Sequence, residues 1–184
     1  MVVLLGIIAV FLFLGCPEET AETPEPEKPE ITATDMDAMT VVFLEKKGPY
    51  EETGKAMMEL FTLMEKKELK PRNYPMACYH DDPNKVDPKE TRYEVFSEFV
   101  GEFKGDKDLM VKEIPAQKMA KTLYVGPYEK CEPTYKQMYG WMAKNNYKPC
   151  GPSYERYLND PAKVAPGELK TEIMVPIKAV EVEK

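Results

Sequence analysis

Glu155 is the residue of this chain best suited to do chemistry. It lies in Ser153-Tyr154-Glu155-Arg156-Tyr157 and alternates with Tyr157, so in an extended segment both side chains point the same way. A lone carboxylate on a buried strand face is costly unless it is paired or protonated. A bound cation relieves that cost, and aromatic faces around the cation add about 0.5–2 kcal/mol per contact. The residue types leave two plainer outcomes open, a solvated face or a pair with Lys148 or Lys170. In a second chemistry Glu155 acts as a general base on water while a tyrosine steadies the leaving group. No serine–histidine arrangement, metal cluster or phosphate loop points to another enzyme class. His80, the single histidine, stands beside Asp81 and Asp82 and suits a turn. No Cys or His spacing resembles a zinc site, so neither a metal nor a cofactor is expected.

The elements that must position Glu155 are written twice. Gly48-Pro49-Tyr50-Glu51 recurs as Gly126-Pro127-Tyr128-Glu129, an offset of 78 (126 − 48). The same register carries Lys70-Pro71 onto Lys148-Pro149, Tyr79 onto Tyr157, Asp82-Pro83 onto Asp160-Pro161 and Glu94 onto Glu172. We expect a tandem duplication, with repeat one at 37–103 and repeat two at 111–179. Each repeat opens on a strand (40–44; 118–125) and the Gly-Pro-Tyr turn. A helix follows, with Met57, Leu60, Phe61 and Met64 on one face, matched by Tyr135, Met138, Tyr139 and Met142. A strand through Tyr79 or Tyr157 comes next, then a polar loop and a last strand (93–99; 171–177). In that last strand Ile173, Val175 and Ile177 share one face, Glu172 and Met174 the other. The expected fold is α+β: two βαββ units forming an antiparallel sheet with two helices and a groove between them.

Glu155 breaks this symmetry, because its counterpart is Ala77. Glu94 and Glu172 keep it, which suggests a shared structural role such as accepting hydrogen bonds from turn amides. Tyr50 and Tyr128 adjoin the turns and either roof the groove or pack the turn. Trp141 lies one step from the Met138–Met142 stripe, as a core residue or a ligand contact, and Phe96 and Met174 alternate onto the faces of Glu94 and Glu172.

Composition bounds the setting. The chain has 184 residues and a formal charge of -7. Residues 17–30 hold six glutamates, one lysine and four prolines, so they carry -5 of that charge and form a stiff, coreless spacer. Residues 31–184 are left with -2, enough chain for one domain and no basic cluster for nucleic acid. Val2–Gly15 is an uninterrupted apolar run ending in Leu14-Gly15-Cys16. A spanning helix needs about 20 apolar residues, so residues 1–16 suit a lipoprotein-type signal with Cys16 lipidated. The other outcome is an uncleaved anchor. Both put the domain outside the cytoplasm, tethered to the cell membrane. Cys78, Cys131 and Cys150 then remain, an odd number, expected as buried small side chains.

Gly126-Pro127-Tyr128, the helix carrying Trp141, Gly151-Pro152-Ser153-Tyr154-Glu155-Arg156-Tyr157, Asn159-Asp160-Pro161 and Thr171-Glu172-Ile173 resemble, in this order, the GyrI-like small-molecule-binding family. That family is also called the effector-binding domain of AraC-type and MerR-type regulators and is similar in fold to the SOUL haem-binding proteins. The resemblance covers residues 37–179 and implies a duplicated βαββ fold with a central pocket lined by aromatics. In drug-sensing members an acidic residue at the pocket floor meets cationic, lipophilic ligands, and some members hydrolyse reactive electrophiles with a glutamate and nearby aromatics. Together with the repeat it marks Glu155, Tyr157, Tyr154, Tyr79, Tyr128, Trp141, Phe96 and Met174 as candidate ligand-binding residues. Glu172 joins them as a second acid through the Thr-Glu-Ile pattern. The chain departs from the family in having no helix-turn-helix before the domain and Tyr154 in place of the commoner Trp. Haem ligation as in SOUL proteins needs a histidine on the right element, and His80 falls at a loop edge. The resemblance implies a binding module for a lipophilic, cationic small molecule, or else a hydrolase using Glu155; the apolar run and spacer add the expectation that it is membrane-tethered.

Overall fold

A computed structural model describes residues 30–181. The signal segment, Cys16 and all of the spacer except Glu30 lie outside these residues. Strands β1 (Thr32–Met36) and β2 (Met39–Lys47) lead through a 3₁₀ turn at Tyr50–Glu52 into helix α1 (Thr53–Lys66). Strands β3 (Lys70–Pro71), β4 (Met76–Tyr79), β5 (Arg92–Val100), β6 (Met110–Ile114) and β7 (Gln117–Val125) follow. A second 3₁₀ turn at Tyr128–Lys130 opens α2 (Glu132–Lys144), and β8 (Tyr147–Pro149), β9 (Ser153–Tyr157) and β10 (Lys170–Ala179) complete the chain. The fold is the expected α+β arrangement of an antiparallel sheet with two helices.

The backbone enters and leaves both helices alike. Gly48 and Gly126 precede the two turns with φ of +140° and +147°. Only glycine adopts that region readily, and a Cβ on Gly126 would lie 2.7 Å from the Tyr124 hydroxyl. Each helix ends near a left-handed residue, Glu68 at φ 57° and Asn146 at φ 58°. Ala56, Leu60 and Met64 bury the face of α1, and Thr134, Met138 and Met142 that of α2. Tyr139, expected on the buried stripe, is 47% exposed.

The strand order is β1-β7-β10-β9-β4-β5-β2-β6, with β3 added beside β5 and β8 beside β10. Exchanging each strand with the one that begins 77 or 78 residues away (110 − 32 = 78 for β1 and β6, 153 − 76 = 77 for β4 and β9) reverses this order onto itself, so an approximate twofold axis passes between β4 and β9. The units differ from the expected βαββ. Each has an additional first strand, β1 or β6, which pairs with the opposite unit: β1 on β7 and β6 on β2. Thr32–Met36 buries only Met36, too little for an alternation signal to reveal it.

These exchanged strands bend the sheet. β1 stands at one end of the order while β2 stands next to the other end, yet only residues 37 and 38 join them. Six interstrand spacings in a flat sheet span about 29 Å, and so short a link reaches only about 10 Å. The sheet must coil until its ends approach. Its inner face then buries Val41, Phe43, Met76, Cys78, Phe96, Met119, Tyr154 and Met174 with no helix in the cluster. The outer face carries the helices, with Leu60 and Met64 against Val42 and Val95, and Met138 and Met142 against Ile173 and Val175. Cys150, expected to be buried, is exposed just after β8, and Cys131 is half-buried.

Candidate functional site

On the outer face α1 packs on β2 and β5, and α2 on β7 and β8. The helices therefore straddle the central pair β4–β9, where Ala77 stands opposite Glu155. Glu155 is 7% exposed. Tyr135, from α2, donates its hydroxyl to Glu155 Oε1 at 2.8 Å, and Tyr157 donates to Oε2 at 3.2 Å. The Cys131 thiol stands 4.0 Å from Oε1. Among the described residues no lysine or arginine forms an ion pair with Glu155. Lys148 and Lys170 are both exposed, so neither plainer outcome for this carboxylate holds. Burial pushes the Glu155 carboxyl above its usual range, against the pull of the two hydroxyls.

A chain of hydroxyls runs from Glu155 across the approximate axis. Tyr157 Oη lies 2.7 Å from Tyr79 Oη, its counterpart 78 residues earlier, and Tyr79 Oη lies 3.4 Å from Thr53 Oγ1. Thr53 donates to the Tyr50 carbonyl at 2.7 Å. Each hydroxyl has one proton, which limits the patterns available. With Glu155 ionised, Tyr157 donates to the carboxylate and Tyr79 to Tyr157, leaving the Tyr79–Thr53 contact without a proton. With Glu155 protonated, the chain can reverse, each hydroxyl donating onward to the Tyr50 carbonyl. Burial, together with the charge of Glu155, raises the phenols of Tyr79, Tyr135 and Tyr157 well above their ordinary value, so they remain donors.

Tyrosine rings close the groove. Tyr128 packs edge-on to Tyr157 with centroids 5.3 Å apart, and Tyr50 packs on Tyr79 at 4.7 Å. The expected aromatic-lined pocket is thus a groove filled by its own side chains above a buried acid. A separate cleft of about 310 Å³ lies at the end of α1, beside Phe61, Leu69 and Pro71.

The candidate residues fall into three places. Glu155, Tyr157, Tyr79 and Tyr128 meet in the groove. Tyr154, Phe96 and Met174 lie on the inner face, where Phe96 and Tyr154 pack edge to face at 6.1 Å. Strand alternation separates them: Tyr154 adjoins Glu155, and Met174 adjoins Ile173, which pairs with Glu155 in register. Trp141 stacks on Tyr147 at 6.0 Å beside β8. Glu172 also faces inward, where Arg156 Nη1 donates to it at 2.8 Å and Lys121 Nζ lies at 3.0 Å. Glu94 pairs with Lys112 and stands 3.6 Å from His80. These two acids are ion-pair partners, not acceptors for turn amides.

Tyr135 is the site residue that the sequence reading placed only on a helix stripe. Its counterpart is Met57, so it departs from symmetry as Glu155 does from Ala77, and that shared departure was the available signal. In Tyr135→Phe the carboxylate loses a charge-assisted hydrogen bond, worth about 1.5–3 kcal/mol, so its titration midpoint moves further up. A carbon-13 NMR titration of Glu155 reads this directly. An unchanged or lower midpoint would show that Tyr135 does not hold the ionised form.

A family model described as the GyrI-like small molecule binding domain matches residues 29–178. Among solved structures, the C-terminal domain of EcmrR shares 20% identity at a TM-score of 0.74, over 83% of this chain and 99% of that one. EcmrR in complex with DNA is similar at 19% identity and a TM-score of 0.75, but this chain spans only 59% of its length. SAV2435 bound to tetraphenylphosphonium gives 12% identity and a TM-score of 0.55, covering 81% and 94% of the two chains. A hydrolase from Listeria innocua gives 16% and 0.60, covering 82% and 93%. No curated protein matches the chain.

Proposed function

We propose, from the premise that the chain belongs to the GyrI-like small-molecule-binding family, that its groove captures a lipophilic cation with Glu155 as the counter-charge. One observation carries this reading: a buried carboxylate held by hydroxyls, with no cationic side chain beside it among the described residues. A cation bound between the rings of Tyr157, Tyr79 and Tyr128 would relieve the cost of burying that charge. The rings must part to admit it, because they now pack on one another. The SAV2435 complex, of similar fold, holds tetraphenylphosphonium, a ligand of this class. We further read the 78-residue recurrence as a tandem duplication whose second copy acquired the acid. The apolar run ending at Cys16 and the Pro/Glu spacer support a domain held by lipid or signal anchor on the outer side of the cell membrane.

The test is a thermal-shift panel comparing tetraphenylphosphonium with neutral molecules of the same shape. At about 100 times its dissociation constant a ligand adds roughly 2.7 kcal/mol, a readily measured shift. Cations should stabilise the protein and neutral isosteres should do so much less. Equal effects would remove the charge argument. The hydroxyl chain leading to Glu155 favours one second reading, hydrolysis of a small electrophile with Glu155 as general base and Tyr157 protonating the leaving group. Consumption of the electrophile, lost in Glu155→Gln, would establish it.

A further inference from the structure

The inner face of the sheet holds a second cluster, behind the strand that floors the groove. Cys78 on β4 lies directly opposite Glu94 on β5, and His80 follows two residues after Cys78 on the same side. The Cys78 Sγ is 3.9 Å from His80 Nε2, and His80 Nε2 is 3.6 Å from Glu94 Oε1. One ligand atom from each of the three residues falls within 4.8 Å of the others. In a tetrahedral zinc site, with bonds of about 2.0–2.3 Å, neighbouring ligand atoms stand about 3.3–3.6 Å apart. Small side-chain rotations separate the two geometries.

The surroundings orient one of the three ligand atoms. Lys112 holds the other oxygen of Glu94, and its ammonium sits 4.4 Å from the centroid of the Phe43 ring. This leaves Oε1 turned toward His80 and fixes the carboxylate as an outer-shell partner of a ligand does. The other half of the sheet shows what fills the equivalent space. There Glu172 corresponds to Glu94 and Arg156 to Cys78, and the Arg156 guanidinium meets Glu172 at 2.8 Å. Each carboxylate has a lysine partner, Lys112 or Lys121, but where the second half adds Arg156 the first half places a sulfur and an imidazole nitrogen.

We propose that Cys78, His80 and Glu94 hold a divalent transition metal of the zinc type, with water in the fourth position. Thiolate and imidazole donors select zinc or cobalt over magnesium and calcium, which take oxygen ligands. The His80 side chain is 32% exposed and provides the route in from solvent. Sequence spacing conceals the site, because the third ligand arrives from the next strand rather than from a Cys/His motif. The site is independent of the groove: Ala77 points to one face of β4, Cys78 to the other.

Cobalt(II) titration of the reduced full-length chain tests the proposal. One equivalent should produce a thiolate-to-cobalt charge-transfer band with the intense visible bands of four-coordination. Zinc should displace it; magnesium and calcium should not. His80→Ala should weaken cobalt binding more than tenfold, while Cys150→Ser leaves the spectrum intact. Absence of the band, less than tenfold weakening in His80→Ala, or loss of the band in Cys150→Ser would each overturn the assignment.

Discussion

Glu155→Gln is expected to abolish the preference for lipophilic cations over neutral isosteres and, at the same time, to make the ligand-free protein more stable at neutral pH. The first effect follows from removing the counter-charge. At 4 Å and an effective dielectric of about 20 the Coulomb attraction approaches roughly 4 kcal/mol, part of which is cancelled by desolvating the ion. An affinity loss of about 10- to 100-fold is therefore expected for tetraphenylphosphonium, with little change for a neutral molecule of its shape. The second effect follows from proton linkage. Burial raises the Glu155 pKa in the folded state above its unfolded value. As pH climbs through the interval between those values, the unfolded chain has already released its proton while the folded chain keeps it. Stability falls across that interval and is flat above it. Gln removes the fall. Cation affinity should rise over the same interval in the wild type, because proton and ligand compete, and stay level in the variant. Urea denaturation and ligand titration across pH 4 to 8 measure both. A variant with unchanged cation preference and the wild-type pH slope would show that Glu155 neither binds the cation nor titrates under strain.

Phe96→Ala separates core from site. Phe96 is 0% exposed within the coiled sheet, packed on Tyr154 among the inward-facing methionines. Truncating so large a buried side chain costs about 3–5 kcal/mol. For a domain of this size that lowers the Tm by about 6–20 °C, and a stability of about 10 kcal/mol, mid-range for a domain, leaves the protein folded. Because Phe96 faces away from Glu155, cation affinity measured below the transition should match the wild type. A large affinity loss with normal stability would return Phe96 to the ligand site.

The parts of the fold legible in the sequence were those with a repeated local signal. The Gly-Pro-Tyr turns, the Leu60–Met64 and Met138–Met142 faces and the alternation of Ile173, Val175 and Ile177 all report local backbone geometry. β1 and β6 were not legible, since most of their residues remain exposed or half-exposed and their partners lie in the opposite half. The site was legible to the extent that alternation and lost symmetry reach. Glu155 and Tyr157 share a face by spacing alone. Tyr154, Phe96 and Met174 do not meet Glu155, because strand alternation sends them to the inner face. Trp141 lies apart for another reason: one helical step turns it toward Tyr147. Tyr135 reaches Glu155 from a separate element, a contact no local pattern encodes.

The exchange of β1 and β6 also orders events in time. Thr32 pairs with Lys121, so β1, the first of the described strands, has no partner until most of the chain exists. Contacts so distant in sequence close late, because the loop entropy must be spent before they form. At synthesis rates of about 5–20 residues per second, β1 waits several seconds with unpaired backbone. A chain interrupted before β7 cannot close the coiled sheet by itself, whereas a finished one unites both halves in a single late step.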